Sequence, residues 1–477
     1  MRGLSSVTKN RPVPLKTLIR KFGAEIVVDR DRWNEFETGW RCKPGNAFCV
    51  VAPRNVEELR SVVRRCVADR LPLVPQGALT GLVGASVPDD TGTMVVVSTQ
   101  RLKSVRHFSA CDGIIVAESG LRLSDVNAQG LPHGLMLGID LGADPSIGGM
   151  VSTNTGGSRL LRYGGMRQHL LGAEIVLADA DATLITHLPL VRKDNSHIGW
   201  SNLVAGAGGS FGFISAASIA LDPIPAQQAT ALIALETLDI LPLLVGTLRA
   251  TCGELLTACE GMSSGAIEAV LRHRTDIRQP FAFGVPNYTV LVELSTSVES
   301  DMLDLDALLL SKLASMFDDT ALAISDIVLV PPEKAWALRH AISAALALDG
   351  DVIGLDISLP LEQLPAFRER WKKRLATEAP WTRLCDFGHC GDGGLHFNFV
   401  SPRATSISDQ SVSIQYIREM ICREVNALDG SFSAEHGLGP ANAQIYSALI
   451  PPSEQEFVRA MKSIVDPYDL LSRALPR

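Results

Sequence analysis

The sequence predicts an α+β protein of more than one domain, on three observations. Its 477 residues exceed what one hydrophobic core usually holds. A strand–helix–strand unit near the N-terminus runs directly into glycine-rich loops. After Asp222-Pro-Ile-Pro225 the style changes: glycine thins out, and short apolar runs alternate with amphipathic helical stretches.

Phe48–Ala52 is a short apolar run ending at Pro53 and reads as a buried strand. Asn55 can cap the helix that follows, with Glu58 at the capping-box position. Leu59, Val62, Val63, Cys66 and Val67 make its apolar stripe. Leu71–Val74 reads as the next strand. The first glycine cluster follows, Pro75-Gln-Gly-Ala-Leu-Thr-Gly-Leu-Val-Gly-Ala-Ser86. Strand signals recur at Met94–Ser98, Gly113–Glu118 and Glu174–Ala178. A second glycine cluster spans Ser146–Gly149 and Thr153–Gly157, and a third is Gly206–Gly212. Beyond residue 225 the strand-like runs are Ala231–Leu235, Val290–Leu294, Asp326–Val330 and Gly354–Leu359, and a last helix is expected over Pro452–Ile464. The expected division is 1–225 (core about 43–225), 226–430 and 431–477.

Composition narrows the function. With 46% hydrophobic and 20% charged residues the chain is ordinary for a globular protein. A net charge of -8 argues against nucleic-acid binding, which leaves a basic footprint. No run approaches the ~18 apolar residues of a membrane span. Nine scattered cysteines without a CxxC suit free thiols in a reducing compartment, so a cytoplasmic location is expected. The first 24 residues are basic and lack an acidic residue, which leaves a transit peptide and a mitochondrial matrix location open.

The chemistry concentrates in Asp386–Asn398, DFGHCGDGGLHFN, and in Ala434-Glu435-His436-Gly437. Glycines permit turns that β-carbons would block, so His389 and His396 can converge. Two imidazoles and a carboxylate form a facial ligand set with open positions, the pattern of a catalytic metal site. Cys390 reads as a small filler and Asp392 as a turn-former. His107, His133, His169, His187, His197, His273 and His340 are isolated and read as structural or exposed. Three long glycine loops within about 140 residues point to a large bound anion held by backbone N–H groups. No segment fits GxGxxG in a Rossmann context or a P-loop.

PQGALTGLVGAS, SIGG…TNTGG, GHCGDGGLHFN and AEHGLG occur here in the order found in flavoenzymes of the vanillyl-alcohol-oxidase (PCMH) type. The chain resembles the D-2-hydroxyglutarate and D-lactate dehydrogenases of that group, with glycolate-oxidase flavoprotein subunits nearby, over roughly residues 40 to 472. The resemblance implies a two-subdomain PCMH-type FAD-binding domain, an α+β substrate cap with an antiparallel sheet, and a C-terminal segment returning to the flavin. It places FAD against Pro75, Gln76, Gly77, Ala78, Leu79, Thr80, Gly81 and Leu82, and against Ser146, Gly148, Gly149, Asn154, Gly156 and Gly157. No residue matches a covalent attachment point, so non-covalent FAD is implied. His389, His396 and Glu435 are implied as ligands of a divalent metal, zinc in relatives, with His436 as the base. An imidazole suits that role because its ordinary pKa lies near working pH. Hydride then passes to flavin N5. Asn398, and Arg339 with Ser343 one helical turn on, are implied as substrate contacts.

The implied reaction oxidises a D-2-hydroxy acid to the 2-oxo acid. Electrons go to an acceptor other than oxygen, such as an electron-transfer flavoprotein, a quinone or a cytochrome; a homodimer is compatible with the sequence. Several family positions differ. Leu79 stands for asparagine, Gly208 for a carboxylate, Gly354 for a lysine and Gly394 for an asparagine. Ser196-His-Ile-Gly-Trp200 replaces TGYDL; Pro440-Ala-Asn442 and Ser472-Arg473 also depart. Loss of the cation at Gly354 suggests a smaller or less acidic substrate than a dicarboxylate. The alternative reading is a partner-dependent or non-catalytic flavoprotein subunit of a hydroxy-acid oxidase complex.

Overall fold

A computed structural model describes residues 15–40, 42–403, 411–471 and 474–475. Residues 1–14, with most of the basic N-terminal stretch, and Ser472-Arg473 lie outside the described residues.

The expected N-terminal unit is present. Strands Ala47–Val51, Met94–Ser98 and Leu73–Gln76 form a parallel sheet in that spatial order. Helix Val56–Ala68 buries all five residues of its apolar stripe, each large side chain contributing roughly 1.5–3 kcal/mol. Asn55 Oδ1 accepts the Glu58 N–H at 2.9 Å, as a cap should. The Glu58 carboxylate, however, accepts the N–H of Arg54 at 2.8 Å, so the return half of the box is displaced by one residue. The strand expected at Leu71–Val74 runs instead from Leu73 to Gln76. Its edge position tolerates Pro75, which cannot donate to a ladder.

Five antiparallel strands form a second sheet in the order Val105–Ser109, Ile114–Glu118, Phe213–Ala220, Leu170–Val176, Leu184–His187. The third and largest sheet is also antiparallel. Its main path runs Ile324–Leu329, Gln227–Leu235, Tyr288–Thr296, Leu256–Ser263, Phe387–Gly388, Gly394–Ser401, Asp351–Ser358.

This large sheet is covered on both faces, which is why its strands read as continuous apolar runs rather than alternating ones. Alternate residues sort into two cores. Ala231, Ile233, Val292, Leu355, Phe397 and Phe399 share one core with Leu244, Leu309 and Trp371 of covering helices. Leu232, Ala234, Leu291, Ala258 and Met262 share the other with Ala266, Val270, Trp336 and Ile342. By the same two-residue period, Glu260, Asp356, His396 and Asn398 fall on the second face. A row of polar side chains thus crosses neighbouring strands on one side of an otherwise apolar layer.

The C-terminal segment returns to the N-terminal half. The Leu73 N–H donates to the Leu470 carbonyl at 2.8 Å. A Cβ at Gly208 would lie 2.5 Å from Ala474 Cβ, and one at Gly439 would lie 2.5 Å from the Val83 carbonyl oxygen. Loops one and three and the Glu435-His436 segment are therefore neighbours.

Candidate active site

The turn joining Phe387–Gly388 to Gly394–Ser401 sets the two expected imidazoles facing each other. Gly393 adopts φ +86°, and a Cβ there would meet the Leu359 carbonyl oxygen at 2.2 Å, so only glycine fits. Asp392 Oδ1 accepts the Gly394 N–H at 2.9 Å and closes the turn, as its sequence context suggested. Cys390 is fully buried against Cys259, with 3.8 Å between the sulfurs. The His389 and His396 rings lie 5.3 Å apart, edge to face. His436 stacks on His396 at 5.6 Å.

All three rings turn Nε2 toward one carboxylate. His389 Nε2 lies 3.4 Å from Glu435 Oε2, His396 Nε2 3.4 Å from Oε1, and His436 Nε2 3.5 Å from Oε1. Each Nδ1 faces a second carboxylate behind it. For His389 this is Glu260 at 2.7 Å. For His396 and His436 it is Asp356, at 3.8 and 3.5 Å. Carboxylates behind imidazoles are the usual means of fixing ring orientation and tautomer at a metal.

Glu260 and Asp356 were not singled out in the sequence. Glu260 is the one acid of the apolar strand Leu256–Ser263, and Asp356 sits in the apolar middle of Asp351–Ser358; an acid among such neighbours is the signal that could have found them. Asp356 also anchors the second segment: its Oδ2 accepts the N–H groups of Glu435 and His436 at 2.9 and 2.8 Å. Glu260 is fully buried and shared, accepting from Arg339 Nε at 2.7 Å as well as facing His389. A carboxylate without water is tolerable only with such partners.

The electrostatics follow from this packing. Burial opposes charge on His389, but Glu260 and Glu435 outweigh it and hold the ring well above the ordinary histidine value. A cation bound there would displace that proton. Burial, reinforced by the repulsion of His389 and His436, pushes His396 down to about 3, leaving a neutral ring with a free lone pair. Burial raises the Asp356 carboxyl, and the neighbouring Glu435 adds to the effect. Glu435 is held well below the carboxylate range by His389, His436 and His396, against the opposing effect of burial.

Arg339 is buried over the Phe387 ring at 4.7 Å, beside the cluster through Glu260. Ser343 lies one turn on in the same helix. The buried stripe of helix Pro332–Asp349 passes through Leu338, Arg339, Ile342, Ala345 and Leu346, which leaves Ser343 exposed on the outer side. Asn398 is buried on the His396 face, opposite Gly354.

The donor set suits a divalent cation. Imidazole nitrogens and carboxylate oxygens converge from His389, His396 and Glu435, and ligand atoms of Asp356, His396, Glu435 and His436 all lie within 4.8 Å of one another. The glycine loops suit a large anionic cofactor. Gly77 approaches Ser146 so closely that a Cβ would sit 2.2 Å from its Oγ, and a Cβ at Gly156 would lie 4.0 Å from Glu435 Oε2. The second loop therefore abuts the cluster. Ser146 caps the helix Ile147–Thr153, and Asn154 ends it at φ +50°. Three buried polar atoms in or beside these loops lack a protein partner: Gln76 Oε1, Ser119 Oγ and Ser210 Oγ. Buried groups of that kind are ordinarily satisfied, and these three lie where a bound anionic cofactor would meet them. Thr80, Gly81 and Leu82 lie on the same first loop, with Gly81 exposed.

Comparison with known proteins shows the family. Residues 47–186 match the family model described as FAD binding domain. Residues 224–474 match FAD linked oxidases, C-terminal domain. The chain is 32% identical over 465 residues to the mitochondrial D-2-hydroxyglutarate dehydrogenase of Bos taurus, covering 96% of this chain and 82% of that one. It is 29% identical to the D-2-hydroxyglutarate dehydrogenase of Xanthomonas citri pv. viticola, covering 90% and 88%. Among solved structures an alkyldihydroxyacetonephosphate synthase superposes with a TM-score of 0.71 at 14% identity, covering 97% of this chain and 84% of that one. That likeness speaks to the fold.

Proposed function

Because this chain belongs to the FAD-linked oxidases and is an FAD-dependent D-2-hydroxyacid dehydrogenase, we propose that it converts a small D-2-hydroxy acid to the 2-oxo acid, with a divalent cation at His389, His396 and Glu435 and His436 as the base. The observation that carries the reading is the turning of three Nε2 atoms toward one carboxylate, each ring backed by a second carboxylate. Bound FAD, cradled by the glycine loops, supplies a two-electron acceptor for hydride. A cation such as zinc supplies Lewis acidity toward the hydroxyl and carboxylate oxygens.

The chain's own groups do the rest. His436 takes the hydroxyl proton at Nε2, and Asp356, 3.5 Å from its Nδ1, steadies the resulting imidazolium. Asn398 presents an amide on the same face. Arg339 gives Nε to Glu260, and its terminal amino groups are the donors for a substrate carboxylate. The glycine at 354 favours a smaller or less acidic acid than a dicarboxylate.

No helix among the described residues is long and apolar enough to cross a membrane. Relatives from Bos taurus and Arabidopsis thaliana are named mitochondrial, which supports a mitochondrial location over the cytoplasmic expectation.

The test is anaerobic mixing of the flavin-loaded protein with D- and L-2-hydroxy acids, with and without chelator. D-acids should bleach the flavin, and chelator should slow bleaching. His436→Ala should slow it about 10²–10⁴-fold, the usual contribution of a positioned base. Bleaching that ignores His436→Ala removes the base. A chain inert alone but active with added partner proteins would favour the subunit reading, which the departures at Leu79 and Gly354 motivate.

A further inference from the structure

Two histidines that look isolated in the sequence meet on the far edge of the five-stranded sheet. His187 ends the edge strand Leu184–His187, while Asp194 and His197 come from the loop that follows. His187 Nε2 lies 3.0 Å from Asp194 Oδ2, and His197 Nδ1 lies 3.4 Å from the same oxygen. The two rings stack with centroids 4.0 Å apart. We infer that His187, Asp194 and His197 form a second divalent transition-metal site, separate in residues and in sheet from the His389–Glu435 cluster.

Three features carry this. Ligand atoms held about 2.0–2.2 Å from a tetrahedral ion stand roughly 3.3–3.5 Å from each other. The two measured separations straddle or meet that spacing, and one ligand atom from each residue lies within 4.8 Å of the others. Second, the carboxylate is already oriented. Asp194 Oδ1 accepts the Ser196 N–H at 2.9 Å and the Ser196 hydroxyl at 2.5 Å, which leaves Oδ2 facing the imidazoles; the same hydroxyl lies 3.0 Å from His197 Nδ1, a contact that a bound ion would replace. That is the arrangement of an outer partner fixing a metal-binding carboxylate. Third, His187 is anchored by the strand pairing of Ala173 with His187, so one ligand is on a rigid element. His197 belongs to the stretch Ser196–Trp200 that departs from the pattern this chain otherwise resembles.

Two imidazoles and one carboxylate suit zinc, cobalt(II), nickel or copper(II), and are a poor match for magnesium or calcium. Half-buried to exposed side chains (12%, 20% and 52% for His187, Asp194 and His197) leave room for water to complete the coordination.

The experiment counts metal. Chelator-stripped protein is titrated with Zn²⁺ by calorimetry and with Co²⁺ by visible absorption, in the full chain and in Glu435→Gln. Glu435→Gln removes the proposed catalytic ion from the count, so failure of that site and of this one are distinguishable. In that background one Zn²⁺ should remain. His197→Ala should weaken it by more than the ~10–100-fold typical of outer-shell changes, and Asp194→Asn should also weaken it. Substrate-driven flavin bleaching by His197→Ala alone should be unchanged. No residual Zn²⁺ binding in Glu435→Gln, or binding indifferent to both His197→Ala and Asp194→Asn, overturns the inference.

Discussion

The two sides of the candidate site are held together by opposite means. On the large sheet, the polar row owes its geometry to strand register and to side chains that satisfy one another. His389 has Glu260, His396 and His436 have Asp356, and Asp356 holds the backbone of Glu435 and His436. The glycine loops opposite are shaped by backbone turns and a few side-chain bonds, such as Gln76 Nε2 to the Ser86 carbonyl and the Ser146 cap, and retain buried polar atoms without protein partners at Gln76 Oε1, Ser119 and Ser210. The sheet side thus satisfies its own polar groups, whereas the loop side leaves polar atoms that a ligand would satisfy. Departures from the family pattern do not follow this division. Leu79 and Gly208 lie in the loops, but Gly354 and Gly394 lie on strands of the large sheet, so both sides carry departures while His389, His396, Glu435 and His436 are kept.

The largest effect should come from breaking the support of the sheet side. Asp386 is fully buried and receives two hydrogen bonds from Arg368, Nε at 2.6 Å and the terminal nitrogen at 2.8 Å. It immediately precedes the Phe387–Gly388 strand. Removing one partner of a buried pair typically costs about 3–5 kcal/mol. Asp386→Ala should lower thermal stability accordingly and lower metal affinity with it, as read by scanning calorimetry and Zn²⁺ titration. An intact metal site in a strongly destabilised Asp386→Ala would separate the turn from the sheet that carries it.

Removing the flavin should have the opposite distribution. In apo-protein, hydrogen exchange should rise in the loops at 76–86 and 146–157 and stay low in strand Gly394–Ser401, because only the former lose a partner. Equal loss of protection on both sides would show that the sheet is not preorganised.

How much of this was legible beforehand follows the same division. The glycine turn 388–394 could be read because its signal is local: a few residues determine the bend that joins His389 to His396. Glu260 could not, since it meets His389 across 129 residues of chain and only the strand order brings them together. Asp356 meets Glu435 across 79 residues in the same way. His187 and His197 appeared isolated because a loop of no regular period folds one back onto the other. Ser343 was placed one turn from Arg339 on helical spacing, but the buried stripe of that helix runs along the other side of the arginine. Period and composition gave the layers, whereas phase and long-range register required the folded chain.

A smaller effect tests the loop side. Leu79 sits at φ +59°, a left-handed conformation that costs a β-carbon residue on the order of 1–2 kcal/mol and that asparagine adopts more easily. Leu79→Asn should therefore stabilise the protein by about 1 kcal/mol, with a rise in melting temperature, and should tighten FAD retention on dialysis. Unchanged stability with tighter FAD would mean that the side chain, not the backbone, limits the loop.

The smallest effect is a pH dependence at the base of the second glycine cluster. His169 is buried between the Gly165 carbonyl, 2.9 Å from Nδ1, and Asp222 Oδ2, 2.8 Å from Nε2. Burial opposes its charge, but the hydrogen bonds to Asp222 and Gly165 outweigh it and raise the pKa above 6.5. The sign follows from linkage: a group that binds its proton more tightly when folded stabilises most below its unfolded pKa. That contribution is complete below about pH 6.5 and is lost as pH rises through the higher folded value. The melting-temperature gap between the wild-type chain and His169→Gln should be widest at pH 6 and narrow toward pH 8. A gap that widens with pH would mean the ring is neutral in the folded protein, and that the loop region depends on its shape rather than its charge.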